Sequence, residues 1–426
     1  MKKSDFKVEH LGKNTITSPY DKGEFVDNNA RVAYDSEVSK IEEYKDNFEE
    51  LPSFELAGPR GKIFHDPAWT KAGIMTAGGL CPGLNDVIKG LTCTLKLHYN
   101  VPVVYGIRYG CRGLIPDFNL EPKVLTPENV DDLHEYGGTI LGSSRGRQDE
   151  ERMVDTLVRM NINVLFCIGG DGTLRCAHDV AMIIKKRKLS ISVIGIPKTI
   201  DNDICSIDKS FGFETAVYAT NEVITAAHNE SNGAFNGVGL VKVMGRDSGF
   251  IAAYATLANS HVNYCIVPEE KIKLEGGDDS LLAHLKKRLE NKGHALILVA
   301  EGAGQEFFDG EKDKDASGNS LHKDIGVFLK GKIKSYFKEH NTEVNVKYFD
   351  PSYMIRSKPA HGTDAVFCMM LAQNAVHAAM AGRSDIVIGH WNDRFTHVPI
   401  ALATRERKKI DLHSALWNGV KSITCF

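Results

Sequence analysis

The 426 residues are 42% hydrophobic and 25% charged, the balance of a globular chain too long for one ordinary domain. A formal net charge of -3 offers no global pull on nucleic acid or an anionic membrane, so phosphate binding has to come from locally placed Arg, Lys and backbone N–H groups. The nine cysteines show no C-x-x-C spacing, which argues against a zinc site or a disulfide framework and for free thiols in a reducing compartment.

In chain order, the first 60 or so residues are polar and lack sustained periodicity; they read as an extension that wraps a neighbour or stays mobile. Their start, MKKSDFKVEHLGKN, has no apolar stretch like that of a signal peptide. No later segment approaches the roughly 18 apolar residues that span a bilayer, and the ending SITCF fits neither the prenylation nor the peroxisomal pattern. The expected location is cytoplasmic. From Lys71 short apolar runs alternate with helical stretches. The strand candidates are 72–79, 101–107, 163–170, 191–197, 237–245, 263–268, 294–302, 345–351 and 385–390, and the helical patterns are 173–188, 213–230, 279–291, 324–339, 363–381 and 411–421. Runs that are apolar at nearly every position suit strands covered on both faces by helices. One sheet of usual size does not hold so many strands. The predicted fold class is therefore α/β, with two doubly wound Rossmann-like domains, a catalytic cleft between them and an N-terminal extension. A charged loop, DGEKDKDASGN, is predicted at 309–319.

Three strand ends carry candidate chemistry. Gly78-Gly79-Leu80-Cys81-Pro82-Gly83-Leu84-Asn85 opens a helix, and its glycines let backbone N–H groups approach phosphate, although a tight turn without ligand explains it about as well. It is neither a P-loop nor a dinucleotide fingerprint. Gly169-Gly170-Asp171-Gly172-Thr173 places an acid where phosphate would repel it unless Mg²⁺ lies between them; as a simple helix N-cap, Asp171 would leave the flanking glycines unexplained. Pro197-Lys198-Thr199-Ile200-Asp201-Asn202-Asp203 holds two carboxylates two residues apart. One suits a general base while the other tunes its charge or assists the metal, and ordinary turn chemistry is the alternative.

GGLCPGLN, LGSSRG, GGDGT, PKTIDND, VMGRDSGF, AEG and DPSYMIR occur in the order and approximate spacing of the phosphofructokinase family, over roughly residues 71–400, and the chain most resembles its long-chain ATP-dependent subgroup. The resemblance implies transfer of the γ-phosphoryl group of ATP, with Mg²⁺, to the 1-hydroxyl of fructose 6-phosphate. It implies Asp201 as the base with Asp203 beside it, Thr199 positioning the substrate and Asp171 as the magnesium residue. Gly78, Arg145, Gly146, Gly170, Gly172 and Thr173 would contact the nucleotide phosphates. Met244, Gly245, Arg246, Glu301, Lys347, Tyr353 and Arg356 would serve the sugar phosphate, with Ile200, Met354 and Ile355 carried along in the same motifs. Arg246 would stabilise transferring charge and Arg356 anchor the 6-phosphate; the alternatives are surface ion pairs for the arginines and core packing for Met244 and Tyr353. The domains would be 1–68 (extension), 69–235 (mainly nucleotide-binding) and 236–426 (mainly sugar-phosphate-binding), with chain crossovers, in a cytoplasmic, allosteric homotetramer.

Three positions depart from the short bacterial members: Tyr353 stands for His, Lys347 for Arg, and Gly237 for a second phosphate-binding Arg. Arg108 also replaces an aromatic residue of their nucleotide site. Two positions bear on the donor. Pyrophosphate-dependent members carry Asp where Gly172 leaves room for an α-phosphate, yet they carry Lys where Lys198 stands. Exclusion of the larger donor is the stronger filter, so ATP is the expected donor and pyrophosphate the alternative. NAD kinases and lipid kinases share GGDGT but not PKTIDND or VMGR. A regulatory subunit would have lost Asp171 or Asp201, and a dehydrogenase lacks its glycine fingerprint here.

Overall fold

The computed structural model describes residues 1–308 and 322–425, so the charged loop predicted at 309–319 lies outside the described residues. In chain order, β1 (Arg31–Ala33) and β2 (Ser53–Leu56) precede β3 (Lys71–Thr76), α1 (Leu84–Cys93), β4 (Val103–Ile107) and β5 (Lys123–Val124). Next come α2 (Glu150–Arg159), β6 (Val164–Gly169), α3 (Asp171–Lys186), β7 (Ser192–Pro197) and α4 (Phe213–Asn232). They are followed by β8 (Gly237–Val243), α5 (Phe250–Ala258), β9 (Tyr264–Ile266), α6 (Leu281–Lys292), β10 (His294–Ala300) and α7 (Ile325–Glu339). The chain closes with β11 (Asn345–Phe349), α8 (Ser352–Arg356), α9 (Gly362–Met380), β12 (Ile386–Trp391), β13 (Arg394–Pro399) and α10 (Ala415–Ile423).

Each of the nine predicted apolar runs forms a strand, and each of the six predicted helical stretches holds a helix. Every residue of β6, β7 and β8 is buried, the condition that removes polar alternation from a strand. On α3 the buried positions Thr173, Leu174, Ala177, Val180, Ala181 and Ile184 recur at helical spacing, and Lys185 and Lys186 face the negative end of its dipole.

The chain divides into two compact units. The first comprises residues 1–199, 204–212 and 357–406. Its nine-stranded sheet runs β1-β2-β13-β12-β7-β6-β3-β4-β5. The five strands from β12 to β4 are parallel, and the flanking strands pair antiparallel. From β3 the chain goes to β4 on one side and then to β6 on the other. The carboxyl ends of β3 and β6 thus flank a topological switch point, where open α/β sheets bind ligands.

The extension is not loose. Phe6 is fully buried, Glu9–His10 pairs with Arg383–Ser384, Ile16–Thr17 pairs with Lys62–Ile63, and β1 and β2 lengthen the main sheet. Glu55 on β2 is buried with its carboxylate 2.6 Å from Arg383 and 3.4 Å from Arg60. Burial pushes that carboxyl up, but His10, His397 and Arg383 outweigh it and hold Glu55 well below the usual range. These residues pack on their own unit and do not stay mobile; half-polar runs of two to four residues carry no sustained period.

The second unit comprises residues 200–203, 213–356 and 407–426. Its four parallel strands run β9-β10-β8-β11, and α4, assigned from sequence to the stretch 69–235, belongs to this unit. Its core gathers Val238, Leu240, Ile297, Val299, Leu285 and Phe337, among others. Among the described residues no helix is long and apolar enough to cross a membrane.

Candidate active site

In the first unit the three predicted phosphate-side segments meet at the sheet's carboxyl end. Gly78 follows β3 with φ +89°, a backbone state that favours glycine, and a Cβ there would lie 3.1 Å from the Lys198 Nζ. Its N–H donates to the Ser144 carbonyl at 3.1 Å, and the Ser143 hydroxyl donates back to the Gly78 carbonyl at 2.6 Å. The LGSSRG loop is thereby fixed on the first glycine turn, with Gly146 at φ +96° and Arg145 exposed.

Lys198 is buried at the end of β7 and donates its ammonium to the Gly79 carbonyl at 2.8 Å, while its N–H bonds the Gly169 carbonyl at 3.0 Å. It therefore ties the three strand ends together. Thr199 beside it accepts the Ser210 hydroxyl on its carbonyl at 2.6 Å.

Gly170 is the N-cap of α3, and among the described residues no side chain caps it, so first-turn N–H groups and the dipole's positive end are left for an anion. Asp171 is the first helical residue, not the cap, which sets aside the simplest alternative for it. Its carboxylate is 3.1 Å from Arg175 Nε, and Arg175 is itself fastened to the Thr404 carbonyl at 2.7 Å. The fold accounts for two of the glycines. A Cβ at Gly169 would lie 2.3 Å from the buried Thr173 side chain, and one at Gly170 would lie 3.3 Å from the Lys198 carbonyl. At Gly172 a Cβ meets nothing within 4 Å among the described residues, so packing does not demand glycine there.

Among the described residues no group of three His, Cys, Asp or Glu side chains could hold a metal. Mg²⁺ is commonly held by one or two carboxylates, waters and substrate phosphates, so the single, part-exposed Asp171 at an open helix start suits it.

Tyr109 was missed in the sequence because no motif marks it. It follows β4 at φ +54°, is 41% exposed, and its carbonyl accepts the Ser144 hydroxyl at 2.6 Å, so an aromatic ring stands one residue after Arg108.

In the second unit the residues predicted for the acceptor side converge at the ends of β8 and β10. Met244-Gly245-Arg246 follows β8 and Glu301 follows β10; the Glu301 N–H bonds the Val243 carbonyl at 2.9 Å and the Gly302 N–H bonds the Gly245 carbonyl at 3.0 Å. A Cβ at Gly302 would lie 1.8 Å from the Arg246 carbonyl oxygen, so the AEG segment needs its glycine for the two loops to touch.

The Asp201 carboxylate is served by the Arg246 backbone. Burial pushes its pKa up to about 8, the negative charges of Asp203 and Glu301 push the same way, and the Arg246 contact and Arg407 pull down. Glu301 is also raised, chiefly by burial, against the charges of Arg246, Lys242 and Arg356.

Asp350, at the head of DPSYMIR, is 2.9 Å from the Lys242 Nζ of β8, which fastens that segment to the sheet. Ile355 packs into the core, while Tyr353 and Met354 are 74% and 67% exposed, and the Arg356 guanidinium lies 4.7 Å from the Tyr353 ring centre. Core packing therefore does not explain Tyr353, and Met244 is only half-buried.

Lys347 stands apart from this group. It sits midway along the edge strand β11, register-paired with Gly239, and faces Glu230 at 3.7 Å, away from the strand ends. Arg407 and Glu269, which brace these loops, belong to no recognised motif, and Asp247 lies within VMGRDSGF without standing out there as a site residue.

Parallel sheets whose carboxyl ends present glycine-opened helix starts and clustered acids define a class of α/β protein that binds phosphorylated ligands. Within that class the chain belongs to the phosphofructokinase family, whose sequence pattern, described as Phosphofructokinase, matches residues 71–379. It is 46% identical over 434 residues to the ATP-dependent 6-phosphofructokinase of Borreliella burgdorferi, covering 99% of this chain and 96% of that one. It is 44% identical over 422 residues to the enzyme of the same name from Entamoeba histolytica, covering 98% and 94%. Among solved structures, a pyrophosphate-dependent phosphofructokinase from Marinobacter aquaeolei superposes with a TM-score of 0.68 at 20% identity, covering 84% of this chain and 92% of that one, a likeness of fold.

Proposed function

We propose that the protein transfers the γ-phosphoryl group of ATP to the 1-hydroxyl of D-fructose 6-phosphate, giving fructose 1,6-bisphosphate and ADP. The observation that carries this reading is the Asp201 carboxyl, held on the Arg246 backbone beside Asp203 and Glu301, in a family whose curated relatives bear the corresponding name. Asp201 takes the proton from the 1-hydroxyl as its oxygen bonds to the γ-phosphorus, and the bond from that phosphorus to the ADP oxygen breaks. Arg246 faces the transferring charge, Glu301 binds sugar hydroxyls, and Tyr353 with Arg356 receives the 6-phosphate. Met244, Gly245, Ile200, Met354 and Ile355 shape that side. Gly78, Arg145, Gly146, Gly170, Gly172 and Thr173 cradle the nucleotide phosphates, and Thr199 positions the substrate. Asp171 would hold Mg²⁺, which when bound neutralises charge on the phosphates.

Pyrophosphate as donor had Lys198 in its favour. The bond from Lys198 to the Gly79 carbonyl gives that lysine a structural reason to be present whichever donor is used, so it no longer weighs against ATP. We place the enzyme in the cytoplasm, where its nine free cysteines stay reduced, as a homotetramer. Steady-state assays of wild type and Asp201→Asn test the reading. The variant should lose about 10²- to 10⁴-fold in kcat with little change in the KM for fructose 6-phosphate. Unchanged kcat would remove Asp201 as the base.

A further inference from the structure

Residues 407–410 reach the acceptor-side loops of the second unit from a stretch with no recognisable motif. The Arg407 guanidinium lies 3.5 Å from the Asp203 carboxylate and also bonds the Asp247 carboxylate, next to Arg246. The following N–H, of Lys408, donates to the Asp203 carbonyl at 2.8 Å, and the Lys408 ammonium sits 5.2 Å from the centre of the Phe250 ring. Two residues on, the Ile410 N–H donates to the Glu269 carboxylate at 2.9 Å; both oxygens of that carboxylate accept the Gly249 N–H at 3.1 Å. The Ser248 hydroxyl closes the set with a 3.3 Å bond to the Asp201 carbonyl.

Segment 407–410 thus straps two loops to one another: 201–203, with the paired aspartates, and 246–249, whose backbone serves the Asp201 carboxylate. Asp201 is faced by the negative charges of Asp203 and Glu301, which favour splaying of the loop, and by Arg246 and Arg407, which oppose it. One guanidinium shared by two carboxylates, one on each loop, fixes their spacing as well as their charge, because its planar fork offers donors in set directions.

We infer that Arg407 is a positioning residue for phosphoryl transfer, holding Asp203 and Asp247 together so that Asp201 keeps its place on the Arg246 backbone. This rests on the reading of Asp201 as the general base. Arg407 acts through the carboxylates it grips and does not touch the sugar. Its loss therefore acts on the chemical step and not on nucleotide binding.

The test is steady-state kinetics of the full chain with ATP and fructose 6-phosphate, comparing wild type, Arg407→Ala, Arg407→Lys and Asp247→Asn, with thermal melts of each. Arg407→Ala should lower kcat about 10- to 100-fold, as for a base displaced by a fraction of an ångström to an ångström, with the KM for ATP within about twofold of wild type. Arg407→Lys should recover part of the loss, and Asp247→Asn should show a smaller loss in kcat alone. If Arg407→Ala does not fold, the other two variants decide. Unchanged kcat in the folded variants, or a common loss in kcat, ATP affinity and melting temperature that Lys does not relieve, overturns the assignment. An inactive wild type, or a fully active Asp201→Asn, would instead sink the reading of the base and leave the role of Arg407 without its premise.

Discussion

If Asp201 is the base, as proposed, its carboxyl is fitted to take a proton near neutral pH. Its pKa, pushed up to about 8 by burial with Asp203 and Glu301 adding to it, makes the ionised form scarce but strongly basic. Since the base must be ionised to act, kcat/KM should rise with pH along a limb centred near 8; a flat profile between pH 6 and 9 would contradict this. The same shift has a stability counterpart of opposite slope. The folded chain keeps a proton that an unfolded aspartate, at 3.8, has released, so the stability tied to this group is complete below that pH and declines as pH rises through about 8. Asp201→Asn should therefore melt higher than wild type at pH 8, with a gap that shrinks towards pH 4, as differential scanning calorimetry would register. Gly302→Ala should fail for a different reason. Its new methyl collides with the Arg246 carbonyl, so the loop that serves Asp201 moves at a cost of about 1–3 kcal/mol, and activity falls more than nucleotide affinity.

At the scale of elements, the N-terminal extension is held by an ion cluster as well as by Phe6. Arg60 and Arg383 share the buried Glu55 carboxylate, and replacing it by Gln leaves two cations without their counter-charge. Glu55→Gln should cost about 3–5 kcal/mol and lower the melting temperature by several degrees in a thermal melt, whereas the partly exposed ion pair between Lys185 and Glu9 should cost little when broken. The central strands were readable in the sequence because burial on both faces leaves an unbroken apolar run, as in β6 and β8. Strands β1, β2 and β13 were not, since polar and apolar residues mix within their three to six positions and leave no such run. Helices α2 and α5 were passed over too: α2 is rich in charge, and α5, FIAAYATLA, is apolar nearly all round and shows no clear face. Of the site, the glycine turns and acids were readable because each motif packs several constraints into a few residues. Arg407 was not, since its partners Asp203 and Asp247 lie some 160 to 200 residues away in the chain.

For the whole molecule the question is which donor the enzyme accepts. Among the described residues nothing packs on Gly172, so Gly172→Asp should fold like wild type, yet it sets a second carboxylate beside Asp171, where the proposed reading puts the α-phosphate. It should depress kcat/KM for ATP by about 10-fold or more, the loss expected when a carboxylate stands against a phosphate of like charge. Circular dichroism would confirm the fold, and unchanged ATP kinetics would refute the steric argument. The most direct measurement is phosphorylation of fructose 6-phosphate by the wild-type chain with ATP and with pyrophosphate, followed side by side in the presence of Mg²⁺. The account predicts fructose 1,6-bisphosphate formed at the expense of ATP, with little or none from pyrophosphate; turnover with pyrophosphate alone would contradict it.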